Sequence, residues 1–247
     1  MSSALKGTLP VFKRELAGYF ATPVAYVFIV IFLLLTGIFT WQLGRFFDAG
    51  QASLRGFFDW HPWLYLFLIP AVSMRLWAEE RRGGTLELLL TLPISLPGAV
   101  LGKFLAAWSF TAVALVLTFP MWITVNFLGN PDNGVVLAQY IGSLLMAGGF
   151  LAIGQCMSAT SKSQVIAFVI SVVVCFVFLL IGFEPVLVFF RSWTPDYITE
   201  ALASFSFITR FDSISKGVID IRDFVYFLTL IAAFLTINTI LIEAKKS

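Results

Sequence analysis

Residues 24–43 read VAYVFIVIFLLLTGIFTWQL, a run of 20 residues that contains no charged side chain. At a rise of 1.5 Å per residue, a helix of this length crosses the roughly 30 Å hydrocarbon core of a bilayer. Similar runs recur along the chain, of whose 247 residues 59% are hydrophobic and 12% are charged. A soluble domain carries about 25% charged residues, and a membrane β-barrel would show alternating segments of about 10 residues. The sequence therefore predicts an all-α integral membrane protein.

The apolar runs predict six transmembrane helices in one domain that covers residues 1–247. The predicted spans are residues 24–43, 61–77, 97–127, 135–157, 164–183 and 223–242. The third run is longer than a bilayer requires. We therefore expect this span to be tilted, to lie partly outside the bilayer, or to be interrupted at Pro120, because proline breaks the helical hydrogen-bond ladder.

Basic residues near the span ends favour one orientation. With the amino terminus in the cytoplasm, ten of the 16 basic residues would lie on that side: Lys6, Lys13, Arg14, Arg75, Arg81, Arg82, Lys103, Lys162, Lys245 and Lys246. Loops rich in lysine and arginine usually face the cytoplasm. The sequence therefore predicts a multi-pass protein of the bacterial inner membrane with both termini in the cytoplasm.

A short amphipathic segment precedes the first span. Residues 8–20 read TLPVFKRELAGYF, and Pro10 suits the first turn of a helix. Such a segment is too short and too charged to cross a bilayer, so it is predicted to lie in the membrane interface. A cytosolic extension of the first span is the alternative. The apolar face would contain Leu9, Phe12, Leu16, Tyr19 and Phe20, and the charged face Lys13, Arg14 and Glu15.

Signatures of catalysis are absent from the sequence. There is no G-x-x-x-x-G-K-[ST] phosphate loop, which excludes ATP binding by that motif. His61 is the single histidine and is expected to be structural or interfacial, so neither a catalytic residue nor a metal site is predicted. Cys156 and Cys175 lie inside apolar runs and are interpreted as small buried hydrophobic residues. A net charge of +2 without a basic cluster gives no indication of a nucleic-acid partner.

Charged residues inside the spans would be expected in an ion-coupled carrier, because they carry out the coupling. Arg75 is the deepest candidate, and it can reach the surface near Glu79 and Glu80 by extending its side chain. Glu184 can reach water at the other end of the fifth span. The chain therefore has no evident energy source of its own, which predicts a partner that supplies one.

The loop between the second and third spans, residues 79–95, reads EERRGGTLELLLTLPIS. Gly84 would end the preceding helix, Thr85 can cap a short helix over residues 84–92, and Pro93 would end it. The leucines of this helix would form an exposed apolar surface that fits a groove on another protein. An amphipathic loop packed on its own bundle is the alternative.

This loop resembles the coupling segment of ABC type-2 permeases, in which charged residues precede Gly-Thr-x-Glu, a leucine run and Leu-Pro-x-Ser. Residues 207–228, FITRFDSISKGVIDIRDFVYFL, are similar to the segment before the last span of that family. Residues 12–23 are similar to its amino-terminal region, and the gliding-motility-type branch is the most similar. The residues that match the coupling segment are Gly84, Thr85, Glu87, Leu88, Leu89, Pro93 and Ser95.

The resemblance implies the partners. Two such membrane subunits, identical or different, would pair above a dimer of cytoplasmic ABC ATPases, which would bind ATP and Mg²⁺, while this chain would hold no cofactor. An auxiliary membrane protein with a periplasmic domain would be a further partner. The implied ATPase-coupling residues are Glu79, Glu80, Arg81, Arg82, Thr85, Leu86, Glu87, Leu88 and Leu89, together with Phe12, Lys13, Arg14, Glu15 and Leu16 of the interfacial helix.

The resemblance also implies a function. The chain would couple ATP hydrolysis on the separate subunit to export of an amphiphilic, lipid-linked or polymeric substrate, and residues 185–222 would form short outer re-entrant helices. Phe28, Phe32, Phe39 and Trp41 of the first span either face the substrate route or face lipid. The alternative function is a non-transporting anchor for a motility or envelope-remodelling ATPase complex.

Overall fold

The structure is a computed structural model that describes residues 7–44, 46, 50, 52–91, 93–191, 195–217 and 220–244, without the side chains of residues 88, 90, 190, 196 and 198. This part of the chain is all-helical, with 84% helix and no strand. Lys6, Leu92, Lys245 and Lys246, which entered the predictions above, lie outside the described residues. The helices are α1 (Thr8–Phe20), α2 (Pro23–Ile38, continued by a π-helical turn over Phe39–Leu43), α3 (Arg55–Phe58), α4 (His61–Ser73), α5 (Arg75–Gly83), α6 (Thr85–Thr91), α7 (Leu96–Val116), α8 (Phe119–Leu128), α9 (Asn133–Ser158), α10 (Gln164–Leu180), α11 (Glu184–Arg191), α12 (Asp196–Ser204), α13 (Phe207–Ser215) and α14 (Ile221–Ala244).

Four helical stretches in the described chain are long and apolar enough to cross a membrane. They are Pro23–Leu43, Leu96–Leu128, Asn133–Ser158 and Ile221–Ala244. α10 is apolar but has only 17 residues. The prediction of an all-helical, multi-pass membrane protein is confirmed, and two of the six predicted spans correspond to shorter helices.

The predicted second span is divided at Met74 into α4 and α5. Met74 keeps helical backbone angles, φ −55° and ψ −32°, so the chain runs on as a helix. The hydroxyl of Ser158, at the end of α9, accepts hydrogen bonds from the N–H groups of Trp77 and Ala78, both at 3.1 Å, and donates one of 2.6 Å to the Met74 carbonyl. A side chain inserted into the helical ladder in this way interrupts its hydrogen bonding without ending the helix.

The long third run is interrupted where the sequence indicated. α7 ends at Val116 and α8 begins at Phe119, with Pro120 in its first turn. Proline fits this position because its missing N–H would be unpaired there in any case. Thr118, in the interruption, donates a hydrogen bond of 2.6 Å to the Leu115 carbonyl.

α9 is the central helix and contacts α4, α7, α10, α13 and α14. Small residues allow this close packing. At Gly154, for example, a Cβ atom would lie 2.0 Å from the hydroxyl oxygen of Ser73. Cys156 and Cys175 are fully buried, as predicted. Because α4 and α9 run in the same direction, α5, the end of α9 and the start of α7 gather at one end of the bundle, which we call the α5 end.

Candidate functional site

The site lies at the α5 end, where α1 packs along α7. Gly102 of α7 permits this approach, since a Cβ atom there would lie 2.8 Å from the Thr8 carbonyl oxygen and 2.9 Å from Val11 Cβ. Further along, the ring of Tyr19 stacks on that of Phe110 with 5.0 Å between centroids. Val11 and Tyr19 are the buried residues of α1.

The face of α1 that contacts α7 differs in part from the prediction. Leu9, expected on the apolar face, is 57% exposed. Glu15, expected on the charged face, lies between Val11 and Tyr19 at four-residue spacing and reaches α7. Lys13 and Arg14 are exposed, as expected, and Leu16 packs against the core. Gly102 of α7 determines which face of α1 makes the contact. The amphipathic pattern of α1 alone cannot predict this face, because the glycine lies on another helix.

Four charged side chains meet between α1, α5 and α7, and we call Arg14, Glu15, Glu80 and Lys103 the charge cluster. Lys103 of α7 is 2% exposed, and its Nζ lies 2.9 Å from Oε1 of both Glu15 and Glu80. A guanidinium nitrogen of Arg14 lies 2.6 Å from Glu15 Oε1 and 3.2 Å from Glu80 Oε1. Two cations thus bridge two carboxylates, and the formal charges cancel.

The cluster pairs a buried lysine with two carboxylates. Taking an ammonium out of water costs several kcal/mol unless it is paired and hydrogen-bonded. Lys103 has two carboxylate partners, and its Nζ also lies 5.1 Å from the ring centre of Trp77. Burial alone would raise the pKa of the Glu15 carboxyl, but the charge of Lys103 and the hydrogen bonds from Arg14 and Lys103 outweigh it and lower this pKa. The Glu15 carboxylate is therefore ionised at neutral pH.

Lys103 was missed as a site residue by the sequence analysis. It was counted only among the basic residues near span ends, and Arg75 was taken as the deepest charge. The available signal was a lone lysine inside the predicted span 97–127, since an ionisable residue in an apolar helix normally has a partner. Glu15, Glu80 and Arg14 were predicted as coupling residues, and the structure brings all three together around Lys103.

A short helix, α6, lies where the coupling helix was predicted, but its surface differs from the prediction. Gly84 separates α5 from α6 with a φ of +70°, which favours glycine. The Thr85 hydroxyl donates to the Glu80 carbonyl at 3.3 Å, so it caps the end of α5 rather than the start of α6. Leu89 is 5% exposed and Leu86 packs against the core. The prediction that the leucines are exposed is therefore wrong at these two positions. The side chain of Leu88 lies outside the described residues.

The polar residues of this loop are the ones that face outward. Glu79, Arg82, Thr85 and Glu87 are exposed. Arg81 instead donates a hydrogen bond of 2.7 Å to the carbonyl of Ala159, just after α9. α5 is therefore bound to the end of the central helix as well as to α1 and α7.

A cavity of about 750 Å³ opens beside the cluster, between α1, α5, α6 and α7. Arg75 lines it, with its guanidinium carbon 4.4 Å from the ring centre of Tyr19. Burial raises the pKa of the Tyr19 hydroxyl, so the ring is neutral at physiological pH. Stacking on Tyr19 thus holds the Arg75 side chain in place at the cavity.

One other candidate site, the hydrogen-bonded group around His61, has a structural role. His61 Nδ1 lies 3.1 Å from the Ser143 hydroxyl, which lies 2.8 Å from that of Tyr65, but His61 and Ser143 are fully buried among the rings of Phe57 and Phe58. A substrate cannot reach this pair, so we assign it to packing. Within the described chain, no group of three His, Cys, Asp or Glu side chains could hold a metal ion.

The aromatic residues of α2 do not form one shared surface. Phe32 is buried and stacks on Tyr65 with 6.0 Å between centroids, so it does not face a route through the membrane. Phe28 packs against Phe110, Phe39 stacks on Trp60, and Trp41 is exposed. Both alternatives, facing the substrate route and facing lipid, are wrong at Phe32, because it is buried.

The chain matches a known family of membrane proteins over most of its length. A family model described as ABC-2 family transporter protein matches residues 64–242, which is 179 of the 247 residues. The chain belongs to the ABC-2 transporter family. ABC-2 permeases are the membrane components of ABC transporters, act with an ABC ATPase and are generally not catalytic themselves. The match includes Glu80, Lys103 and α6, whereas α1 precedes it. No curated protein matches the chain.

Proposed function

We propose that this ABC-2 protein is the membrane-spanning subunit of an ATP-driven exporter in the bacterial inner membrane, with both termini in the cytoplasm. The observation that carries the proposal is the charge cluster, which joins the two elements nearest an ATPase, α1 and α5, to the membrane helix α7. The resemblance of the chain to the gliding-motility-type branch favours an amphiphilic, lipid-linked or polymeric substrate.

The geometry supports a route for mechanical coupling. A dimer of ABC ATPases, which binds ATP and Mg²⁺, would dock on exposed residues outside the cavity: Arg82 of α5, Glu87 of α6 and Lys13 of α1. ATP binding draws the ATPases together, and the ATPase contacts then differ between the two states. Displacement of α5 reaches α7 through Lys103 and reaches α9 through the hydrogen bonds of Arg81 and Ser158.

The membrane topology that we propose has six spans. α4 and α5 form one crossing, because Met74 keeps the helix continuous, and α10 forms another, since 17 residues extend roughly 26 Å. The four remaining crossings are the long apolar stretches. A second copy of the chain or a related permease would complete the transporter, and an auxiliary membrane protein would join it on the outer side.

Two contacts support outer re-entrant helices in residues 185–222. α13 begins at Phe207, whose ring lies 4.5 Å from that of Phe150, and ends at Ser215, whose carbonyl accepts a hydrogen bond of 2.8 Å from Gln139. Phe150 is 17 residues into α9, roughly 25 Å from its start. A helix that begins at this depth and returns to the end of the bundle fits a re-entrant segment, as irregular backbone at such depth must be buried in protein.

The test is reconstitution of the chain with its ABC ATPase in lipid vesicles, followed by ATP turnover and ATP-dependent movement of candidate substrates. Charge reversal at exposed Glu87 is expected to weaken ATPase association without unfolding the chain. The matched control is Glu200→Lys, a reversal at an exposed residue of α12 near the opposite end. A Leu89→Asp variant would be uninformative, because Leu89 is buried.

The outcomes separate the exporter from the anchor. If the ATPase associates, Glu87→Lys weakens it, and substrate crosses the membrane only with ATP, the proposal stands. Association and turnover without substrate movement would favour the non-transporting anchor. A wild-type chain that binds no ABC ATPase would contradict both.

A further inference from the structure

The cavity at the α5 end carries two charges that the charge cluster does not neutralise. The charged residues that line it are Arg14, Glu15, Arg75, Glu79, Glu80 and Lys103. Four of them form the cluster, whereas Arg75 and Glu79 have no ion-pair partner within 4.0 Å in the described chain. They lie four residues apart on α5, so both reach the same cavity about one helical turn from each other.

Arg75 is held so that it can accept an anion. Its guanidinium stacks on the face of the Tyr19 ring at 4.4 Å, and Tyr19 is itself fixed against Phe110. Stacking uses the flat face of a guanidinium, and although Arg75 also hydrogen-bonds the Tyr19 hydroxyl, other N–H groups among its five remain available. The planar fork of arginine matches the oxygens of a phosphate in a bidentate way. Glu79, which is exposed at the cavity, can accept hydrogen bonds from an ammonium group.

The surroundings of the cavity favour a lipid over a segment of another protein. The chain leaves the cavity at Thr22, and α2 then exposes Val24, Tyr26 and Val27. This apolar surface suits acyl chains. The exposed surface of the cavity wall is mostly apolar and also carries charged side chains, so it matches a molecule with both charged and apolar parts, as a lipid has. A volume of about 750 Å³ is in the range of small-ligand sites.

We propose that this cavity binds the headgroup of a zwitterionic phospholipid, with the phosphate on Arg75, a primary ammonium on Glu79 and the acyl chains along α2. Phosphatidylethanolamine has this chemistry. Phosphatidylcholine carries a quaternary ammonium that cannot donate a hydrogen bond, and phosphatidylglycerol lacks the cation. The proposal concerns a resident lipid and does not depend on ATPase coupling or on the transported substrate.

The experiment is native mass spectrometry of the full chain, released from detergent micelles that contain equal amounts of the three phospholipids. The wild type is expected to retain one phosphatidylethanolamine in preference to the other two. Arg75→Gln is expected to lower this retention about tenfold or more, because a hydrogen bond to a charged group contributes roughly 1.5–3 kcal/mol. Glu79→Gln should reduce the preference for phosphatidylethanolamine over phosphatidylcholine while the chain stays folded. Arg82→Gln is the control, since Arg82 is exposed on the same helix but does not line the cavity.

Competition separates a lipid from a free phosphate. Glycerophosphoethanolamine should displace the lipid at lower concentration than inorganic phosphate if the whole headgroup is recognised. Equal retention of the three phospholipids by the wild type, or unchanged retention in both Arg75→Gln and Glu79→Gln, would overturn the proposal. Loss of ATPase association in Arg75→Gln with unchanged lipid retention would also overturn it and would assign the cavity to the ATPase contact.

Discussion

Two ion-pair sites lie at opposite ends of the bundle and join very different parts of the chain. At the α5 end, Lys103 binds Glu15 and Glu80, which are 88 and 23 residues away in sequence. Near the start of α9, Arg210 binds Asp223 at 3.0 Å across only 13 residues, between consecutive helices α13 and α14. The first site can pass a displacement between distant helices, whereas the second fixes the local geometry of one connection.

The two sites also differ in how their cations are supported. Lys103 is almost completely buried and depends on the two carboxylates. Arg210 is partly exposed, donates a second hydrogen bond of 2.9 Å to the Ser204 carbonyl and lies over the Tyr226 ring. Loss of one carboxylate therefore leaves Arg210 with other partners. The α5 end should be the more sensitive site, in both stability and coupling.

The largest effect is expected from Lys103→Met, which leaves Glu15 and Glu80 sharing Arg14 alone. Removal of one partner from a buried ion pair typically costs about 3–5 kcal/mol in free energy of unfolding. Thermal unfolding can be followed with a thiol-reactive dye, since Cys156 and Cys175 are buried until the chain unfolds. ATP turnover with the partner ATPase should also lose its dependence on substrate, because α7 is no longer joined to α5.

A double variant tests whether charge balance is the cause. Glu15→Gln added to Lys103→Met restores neutrality, with Arg14 facing Glu80, so the double variant should be more stable than the sum of the single effects predicts. Strictly additive effects would show that Lys103 acts by packing and not by pairing. In that case the contrast between the two ends of the bundle would lose its electrostatic basis.

A smaller effect is expected from Asp223→Asn at the other end. The substitution keeps shape but removes the charge that faces Arg210, at a cost of about 1.5–3 kcal/mol. Because this pair joins neighbouring helices, the ratio of substrate moved to ATP hydrolysed should stay at the wild-type value. A drop in that ratio as large as that of Lys103→Met would contradict the distinction between a transmitting site and a local one.

How far the sequence could predict these sites depends on whether their signals are local. The apolar runs and Pro120 are local, so the helical class and the interruption between α7 and α8 follow from the sequence. The family pattern located α6 and the region around Glu80. The four long apolar stretches were likewise visible before any packing was known.

The missed features all depend on contacts between distant segments. Glu15 turns inward because Gly102 lets α1 approach α7, and nothing in residues 8–20 contains that information. Ser158 inserts into the helical hydrogen bonding of the second predicted span from 80 residues away. Leu89 was expected to be exposed, because a short leucine-rich helix looks the same in sequence whether it faces a partner or its own bundle.

The smallest effect is expected in the pH dependence of the stability that Glu15 contributes. Burial would raise the pKa of this carboxyl, but Lys103 and Arg14 outweigh that effect and lower it below its ordinary value. A lowered folded-state pKa contributes stability above the unfolded-state pKa, and this contribution is lost as the pH falls through the folded-state value. The difference in unfolding temperature between the wild type and Glu15→Gln should therefore be constant from pH 8 to about pH 5 and should shrink below the unfolded-state pKa. A difference that already changes between pH 8 and pH 6 would mean that Glu15 is not the ionised partner of Lys103, and the cluster would then not be the joint between α1 and α7.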